Sequence, residues 1–468
     1  MGNDITKEHA LYAATNDTWK KVDDICDRKN LQSYLVKINP LDISADNKAR
    51  NDSYYERAVF YGITGQTSRA MTGLPFRKMP TVNVPDGLSL LKTNIDGNGT
   101  TIVQQSKALI KSLVRKGRAG LFVDYPTSTE GPSSLEDIRN GKVFPVILRF
   151  EPQQIIYWET RNVGSKNVLS KVVIFASEYI SGEEKTYYIE LLLDESNLYV
   201  YHEWEENTDG EYYVRKSTAP VIGNGARLDY IPFIFVGSEN NNPTIDFAPL
   251  YNMSEIEIGH WNNSAEHEDI VFQCGQPQPW ASGYDMSQLS EMKAGGFYLG
   301  GRMLMPVPSG EQFGYAQISP NTAASDAMDK KEEKMLSLGA MLIQQGTAQK
   351  TATQYEGEIN VSHSVLSLIV SNVNDAYRQC IVWYASFQNV DFNSDEYPYL
   401  ISTDFVPRVI DAQVFQAIFG AYQGSAVSQS AWIKFLQKYN IEDSEKTIEE
   451  ISDEIGEQVI MPNLNTGE

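Results

Sequence analysis

Residues 247–272 read FAPLYNMSEIEIGHWNNSAEHEDIVF, and residues 321–343 read NTAASDAMDKKEEKMLSLGAMLI. In the first stretch Leu250, Met253, Ile256, Trp261, Ala265 and Ile270 fall near helical spacing, enough for one helix of roughly 40 Å at 1.5 Å per residue. In the second, Met328, Met335 and Leu342 recur at heptad intervals with Leu338 between them and charges on the outer faces. A helix this long needs a partner, and each stretch is the natural partner of the other. Between them, 275–320 reads as a compact insert, with PQPWASG, FYLGGRMLMPV and EQFGYAQI as short strands and 286–293 as a short helix. After them comes QQGTAQKTATQYEGE (344–358), a polar, Gly- and Thr-rich loop, and then another long helix over 359–387.

Working outward, 5–35 carries a helical period for one or two helices, and 51–71 reads as a single helix stopped by Gly73-Leu74-Pro75. A short extended segment covers 79–84. The turn Ile95-Asp96-Gly97-Asn98-Gly99 precedes Thr100, which is expected to cap a helix ending near Lys116, and 121–126 (LFVDYP) is a buried strand stopped by proline. From 143 to 236 the sequence alternates in the strand manner (VFPVILRF, QIIYWE, VLSKVVIF, KTYYIELLL, NLYVYHEW, EYYVRK, IPFIFVG), which predicts an antiparallel sheet. SENNNPTID (238–246) marks a boundary where strand periodicity gives way to helix. YPYLISTDFVP (397–407) is a short strand, followed by helices at 411–422 and 428–439, the latter capped by Ser428, and an acidic tail over 442–457. The fold class expected is α+β.

The chain has 468 residues, with 61 acidic against 39 basic and a formal charge of −22, so a tight nucleic-acid clamp is not expected. The same charge suits a surface along which DNA must slide, and equally suits plain solubility. Cys26, Cys274 and Cys380 are odd in number and widely spaced, which argues against a disulfide framework or a zinc site. There is no run of about 18 apolar residues and no signal-peptide core, so no membrane partner is expected and the protein should be made in the cytoplasm.

Chemical motifs are absent: no GxxxxGK[ST], GxGxxG, HExxH or GxSxG occurs, no cofactor is expected, and the chain does not read as an enzyme. His260 and His267 lie seven apart on a helix beside Glu266 and Glu268, a spacing compatible with a metal site but more simply a polar packing face. Asp124 ends an apolar strand, where α/β enzymes keep catalytic carboxylates and where a turn-forming Asp is equally at home. Asp246, Glu255 and Glu257 read as a solvated helix face. Lys107, Lys111, Arg115, Lys116 and Arg118 form a basic group able to meet phosphate, or again a solvated face.

In their order, YYERAVFYGITGQTSRAMTGLPFRKMP (54–80), LLKTNIDGNGTT (90–101), LVRKGRAGLFVDYP (113–126), IPFIFVGSENNNP (231–243), PLYNMSEIEIGHWNNSAEHED (249–269) and CGQPQPWASG (274–283) resemble the portal proteins of tailed bacteriophages. That resemblance implies a mixed α/β wing at 1–246, stem helices at 247–273 and 321–343, and a small β-rich clip at 274–320. It further implies a tunnel loop at 344–358, a long helix with a return to the wing at 359–407, and a helical crown with the acidic tail at 408–468. It implies a homo-oligomeric ring, usually of twelve subunits, at one capsid vertex of the virion. Double-stranded DNA would pass non-specifically through that ring during packaging and ejection. The terminase large subunit and head-completion adaptor proteins would dock on the clip, and major capsid and scaffolding proteins would surround the wing. In this plan the channel is lined by Gln344, Gln345, Thr347, Gln349, Lys350, Thr351 and Thr353, and Trp280, Tyr284 and Arg302 belong to the clip docking surface. The competing readings are a metal-dependent α/β hydrolase or nuclease built on carboxylates such as Asp124, and a particle adaptor without a DNA channel.

Overall fold

The computed structural model describes residues 4–125, 143–180, 182–275, 278–287, 290, 310–316, 322–343, 364–390, 392, 397–403, 412–438, 441–442 and 446–460. The chain is a mixture of α and β and divides into two units, Met1–Thr403 and Asp404–Glu468.

In the first unit α1 (Ala10–Asp27) buries Tyr12, Trp19, Val22 and Ile25 at helical spacing, and the Trp19 indole donates to the Lys116 carbonyl at 2.9 Å. Helix α2 (Ala45–Arg57) starts at Ser44, whose hydroxyl accepts from the Asn47 amide. Helix α3 (Ile63–Gly73) follows. The single helix expected over 51–71 is therefore two. The chain is extended at Ala58 and turns at Gly62, where φ is +80° and a Cβ would run into the Arg28 guanidinium. Strand β1 (Thr81–Val82) precedes α4 (Ile102–Lys116). The cap of α4 is Thr101, not Thr100: Thr101 and Gln104 form a reciprocal capping box, while the Thr100 carbonyl closes the preceding turn onto the Ile95 amide.

The strand-rich middle forms two sheets, not one. β2 (Arg118–Asp124) pairs with β3 (Val146–Phe150) on one edge and with β9 (Phe233–Gly237) on the other, both antiparallel. Between them β4 (Ile155–Val163), β5 (Lys166–Ile180), β6 (Glu183–Leu193), β7 (Tyr199–Glu206) and β8 (Tyr212–Thr218) form a separate five-stranded meander. The separation follows from burial. Six of the seven β2 residues are buried, so both of its edges must be paired inside the protein, and IPFIFVG returns to satisfy the second.

The rest of this unit comprises α5 (Tyr251–Cys274), β10 (Gln278–Ala281), β11 (Phe313–Ala316), α6 (Ala323–Ile343), α7 (Val365–Gln388) and β12 (Tyr399–Leu400). Helix α7 starts at its cap Ser364; the expected start over 359–363 falls outside the described residues. Leu366, Ile369, Val370, Val373, Tyr377, Cys380, Ile381 and Tyr384 are all fully buried, as befits a helix surrounded by protein. Polar ties fix its register: Tyr377 donates to Gln105 at 3.0 Å, and Asn374 bonds both the amide and the carbonyl of Ile401 at 2.9 Å. Strand β12 pairs with β1.

The second unit contains α8 (Ala412–Gln423), α9 (Gln429–Lys438) and α10 (Ile448–Ile460), of which α8 and α9 meet through the rings of Phe415, Phe419, Tyr422, Trp432 and Phe435. The acidic tail is in part helical, because Thr447 and Glu450 cap α10 reciprocally and Ile451 is buried.

The basic group on α4 is neither a phosphate site nor a solvated face, for only Lys107 and Lys111 are exposed. Arg115 and Lys116 turn inward to Asp27 at 2.8 Å and to Asp23 and Glu151 at 2.8 and 2.9 Å, with Arg149 also on Glu151. Arg118 lies against Trp158 and Phe235 and donates to the carbonyls of Pro243 and Thr244; burial lowers its pKa to about 9. Burial alone would raise the Glu151 carboxyl, but Lys116, Arg149 and the Ser112 hydroxyl together pull it down to about 2. A depressed folded-state pKa gives stability that is full above the unfolded value near 4.5 and is lost as pH falls toward 2. Glu151→Gln should thus cost about 2 kcal/mol in urea denaturation at pH 7, and the difference from wild type should shrink as pH falls through that window. Equal losses at pH 7 and pH 3 would contradict this account.

Candidate functional site

Helices α5 and α6 pack side by side and antiparallel. A Cβ on Gly339 would meet Met253; one turn and more along, His260 Nε2 bonds Glu332 at 3.0 Å, and Lys331 bonds Asn263. Residue numbers rise on one helix as they fall on the other. The ribbon beyond is antiparallel as well: Gln278 pairs with Ala316 and Ala281 with Phe313. Helix pair and ribbon thus run antiparallel in the same sense.

Several contacts hold α5 to the rest of its unit. Glu257, fully buried, accepts hydrogen bonds from the amides of Gly62, Ile63 and Thr64, the last two at 2.9 Å. Its carboxylate therefore sits on the unsatisfied N–H groups and positive dipole end of α3. Trp261 is buried edge-on to Tyr55 and Phe60. Farther along, Ser264 accepts from the Val59 amide at 3.0 Å, and Arg57 pairs with Asp269 at 2.8 Å.

The start of α5 is fixed by the loop over 238–247. Asp246 accepts from the amides of Glu239 and Asn240 at 2.7 and 3.0 Å. Asn372 of α7 donates to the Gly237 carbonyl at 2.9 Å, and Asn241 donates back to the Asn372 carbonyl at 2.8 Å. Gly117, at φ +73°, passes so close that a Cβ would strike the Phe247 carbonyl oxygen at 2.6 Å. Asp246 and Glu257 are therefore structural carboxylates inside the protein, not parts of a solvated face; only Glu255, paired with Lys21 at 2.7 Å, lies out in solvent.

Several residues singled out from the sequence can be placed. Trp280 is exposed on the ribbon with its indole over Gly314, and Tyr284 lies just beyond β10. Arg302 and the loop positions Gln344, Gln345, Thr347, Gln349, Lys350, Thr351 and Thr353 lie outside the described residues. His260 is engaged with Glu332 and faces the Tyr61 ring, so it belongs to the seam between the two helices. Among the described residues no group of three His, Cys, Asp or Glu side chains is placed to hold a metal ion, and no helix is long and apolar enough to cross a membrane. Asp124 ends β2 in a desolvated position that raises its pKa to about 6, its charge lying near Tyr199 and Tyr201. Sequence reasoning missed Glu257, Asp246 and Asn372; the only signal among them is the Asn-Asn-Pro run before Asp246, a loop type that short polar side chains close.

The family described as "Domain of unknown function (DUF4055)" matches residues 249–388, the span from the start of α5 to the end of α7. No curated protein matches the chain. Among solved structures, the chain is similar to a chain in the virion of a native gene transfer agent particle. The TM-score is 0.38 and the identity 11%, over 81% of this chain and 91% of that one. It is also similar to a chain of the neck of an empty gene transfer agent particle computed with C6 symmetry (TM-score 0.40, 12% identity, 83% and 92% covered). A third likeness is to the neck of the native particle computed with C12 symmetry (TM-score 0.40, 11% identity, 81% and 90% covered). At this overlap the likeness carries neither fold nor function.

Two outcomes follow for the buried carboxylates. Glu257→Ala strips three amides of their acceptor and should cost about 3 kcal/mol in denaturant unfolding, whereas Glu255→Ala, in a solvent-exposed pair, should cost less than about 1 kcal/mol; similar losses for the two would remove the special role of Glu257. For Asp124 the sign is opposite. With its folded pKa raised from 3.8 to about 6, the ionised form destabilises the protein, so stability falls as pH rises between those values. Asp124→Asn should raise Tm at pH 7.5 and leave it unchanged at pH 4.

Proposed function

We propose that the chain is the ring-forming portal subunit of a tailed-phage-like particle, with copies standing side by side around a channel for double-stranded DNA. One observation carries this reading: the antiparallel pair α5/α6, with the antiparallel β10/β11 ribbon inserted between its helices in chain order, and followed by the central helix α7. In this assignment α5 and α6 are the stem, the ribbon belongs to the clip, and the segment from α6 to α7 lines the bore. The sequence resemblance to tailed-phage portals falls on the same elements, since two of its motifs cover the first stem helix and the start of the clip.

The surface of the pair supports assembly. Val271, Leu336 and Met341 are 50%, 58% and 67% exposed, so the pair presents apolar side chains outward as well as toward its own seam. A ring of identical copies buries such a surface through a heterologous contact whose rotation closes. The charge of −22 per subunit suits a channel that repels phosphate and lets DNA move, with Lys350 as an isolated positive point on the loop. Terminase and head-completion proteins would dock on the clip around Trp280, Tyr284 and Arg302, and capsid and scaffolding proteins would surround the wing. No catalytic role is assigned to any residue.

Native mass and negative-stain imaging of the purified protein test the proposal together. A closed ring with a central hole wide enough for a DNA duplex is expected, with a mass near that of twelve 52.5 kDa subunits. Single subunits at concentrations where rings should assemble would overturn it, and closed discs without a hole would favour an adaptor without a channel.

A further inference from the structure

We infer that the loop over 35–44 of one subunit seats its apolar side chains in a cavity at the root of the helix pair of the next subunit, a contact that rests on the ring proposed above. The loop is built inside out. Its polar atoms are held from within: Val36 N by Asn262 of α5 at 2.8 Å, Ile38 N by Asn51 at 2.7 Å, and the Asn39 and Asp42 carbonyls by Asn47 at 3.1 and 2.7 Å. Its apolar side chains face water, with Val36, Leu41 and Ile43 at 71%, 92% and 97% exposure. Single exposed apolar residues are ordinary, but three on a loop braced by four side-chain hydrogen bonds form a preorganised apolar knob.

A matching hole lies in the same unit. A cavity of about 270 Å³ opens between the start of α5, the end of α6 and the start of α7, lined by Phe247, Met253, Leu338, Met341, Leu342 and Leu368. Three of these (Phe247, Met341 and Leu368) expose their side chains at its rim. An apolar cavity of roughly 150 Å³ already holds a benzene-sized group, so this one accepts two aliphatic side chains. Charge complements shape: Glu239 is the carboxylate of the lining, Lys37 and Lys48 flank the knob, and among the described residues none of the three has an ion-pair partner.

Knob and hole cannot meet within one subunit. The loop is attached to α5 at Asn262 and the cavity reaches α5 at Met253, and residues nine apart on a helix with 3.6 residues per turn lie on opposite faces. Unlike, complementary patches on opposite sides of one wall make a head-to-tail contact, the kind that propagates around a ring.

Ile43→Cys and Leu368→Cys, made in separate chains that also carry Cys274→Ser, test this; Cys26 and Cys380 are buried. Mixed and assembled, the two chains should be joined into dimers by a short bismaleimide, and the doubly substituted chain should give a ladder of covalent oligomers. Leu41→Asp/Ile43→Asp, which changes only exposed side chains, should keep its far-ultraviolet circular dichroism and raise the protein concentration needed for half-assembly at least tenfold. Rings by native mass without cross-linked dimers, and with the double-Asp variant assembling as wild type, overturn this contact and leave the ring reading standing. Absence of rings in the wild-type protein overturns the ring reading itself. Protection of Leu368→Cys from a monofunctional maleimide in isolated subunits would show the cavity filled by the chain's own residues, and would also overturn the contact.

Discussion

The carboxylate of Glu257 on the amino end of α3 is the constraint around which the first unit is arranged. A buried charge is tolerated only where hydrogen bonds replace its water, and here three consecutive backbone amides do so. The need is mutual, because α3 has no capping side chain of its own: its cap position is Gly62. One interaction therefore neutralises two liabilities, a buried charge on α5 and an uncapped helix, and ties α5 to the N-terminal helices.

The same logic recurs at each junction. Asp246 collects the amides of a tight loop so that α5 starts at a fixed point, and Arg118 fills the carbonyls of Pro243 and Thr244 on the other side of that loop. Arg115, Lys116 and Arg149 meet Asp23, Asp27 and Glu151 where α1, α4 and β3 converge. Charges of both signs are thus turned inward: Arg115, Lys116 and Arg118 are buried, and so are Asp24, Glu190, Asp246 and Glu257.

The legible parts of the fold were those set by period. The stretches 247–272 and 321–343 announce their helices because Met253, Trp261, Met335 and Leu338 repeat on one side, and the alternation from 143 onward announces strands. Three features were hidden. IPFIFVG looks like the next strand of a meander, yet it returns to β2, because pairing partners are decided by which edge is buried and not by order in the chain. Glu257 looks like a solvated carboxylate, since nothing local distinguishes a charge facing water from one facing a helix end fixed about 190 residues away in sequence. The break at Gly62 was hidden for the same reason: the apolar stripe over 51–71 runs straight through it, and only the distant carboxylate makes a fresh helix start there favourable.

The shared antiparallel sense of helix pair and ribbon has a consequence for how such a chain can change over time. Helix and strand advance by different rises per residue, yet the two limbs are opposite one another both at Met253 and Gly339 and at Ala281 and Phe313. A residue gained or lost in one limb alone would rotate one helix face by about 100° and turn one strand of the ribbon over. Tolerated changes in the length of the pair and ribbon therefore come as compensated pairs, one in each limb.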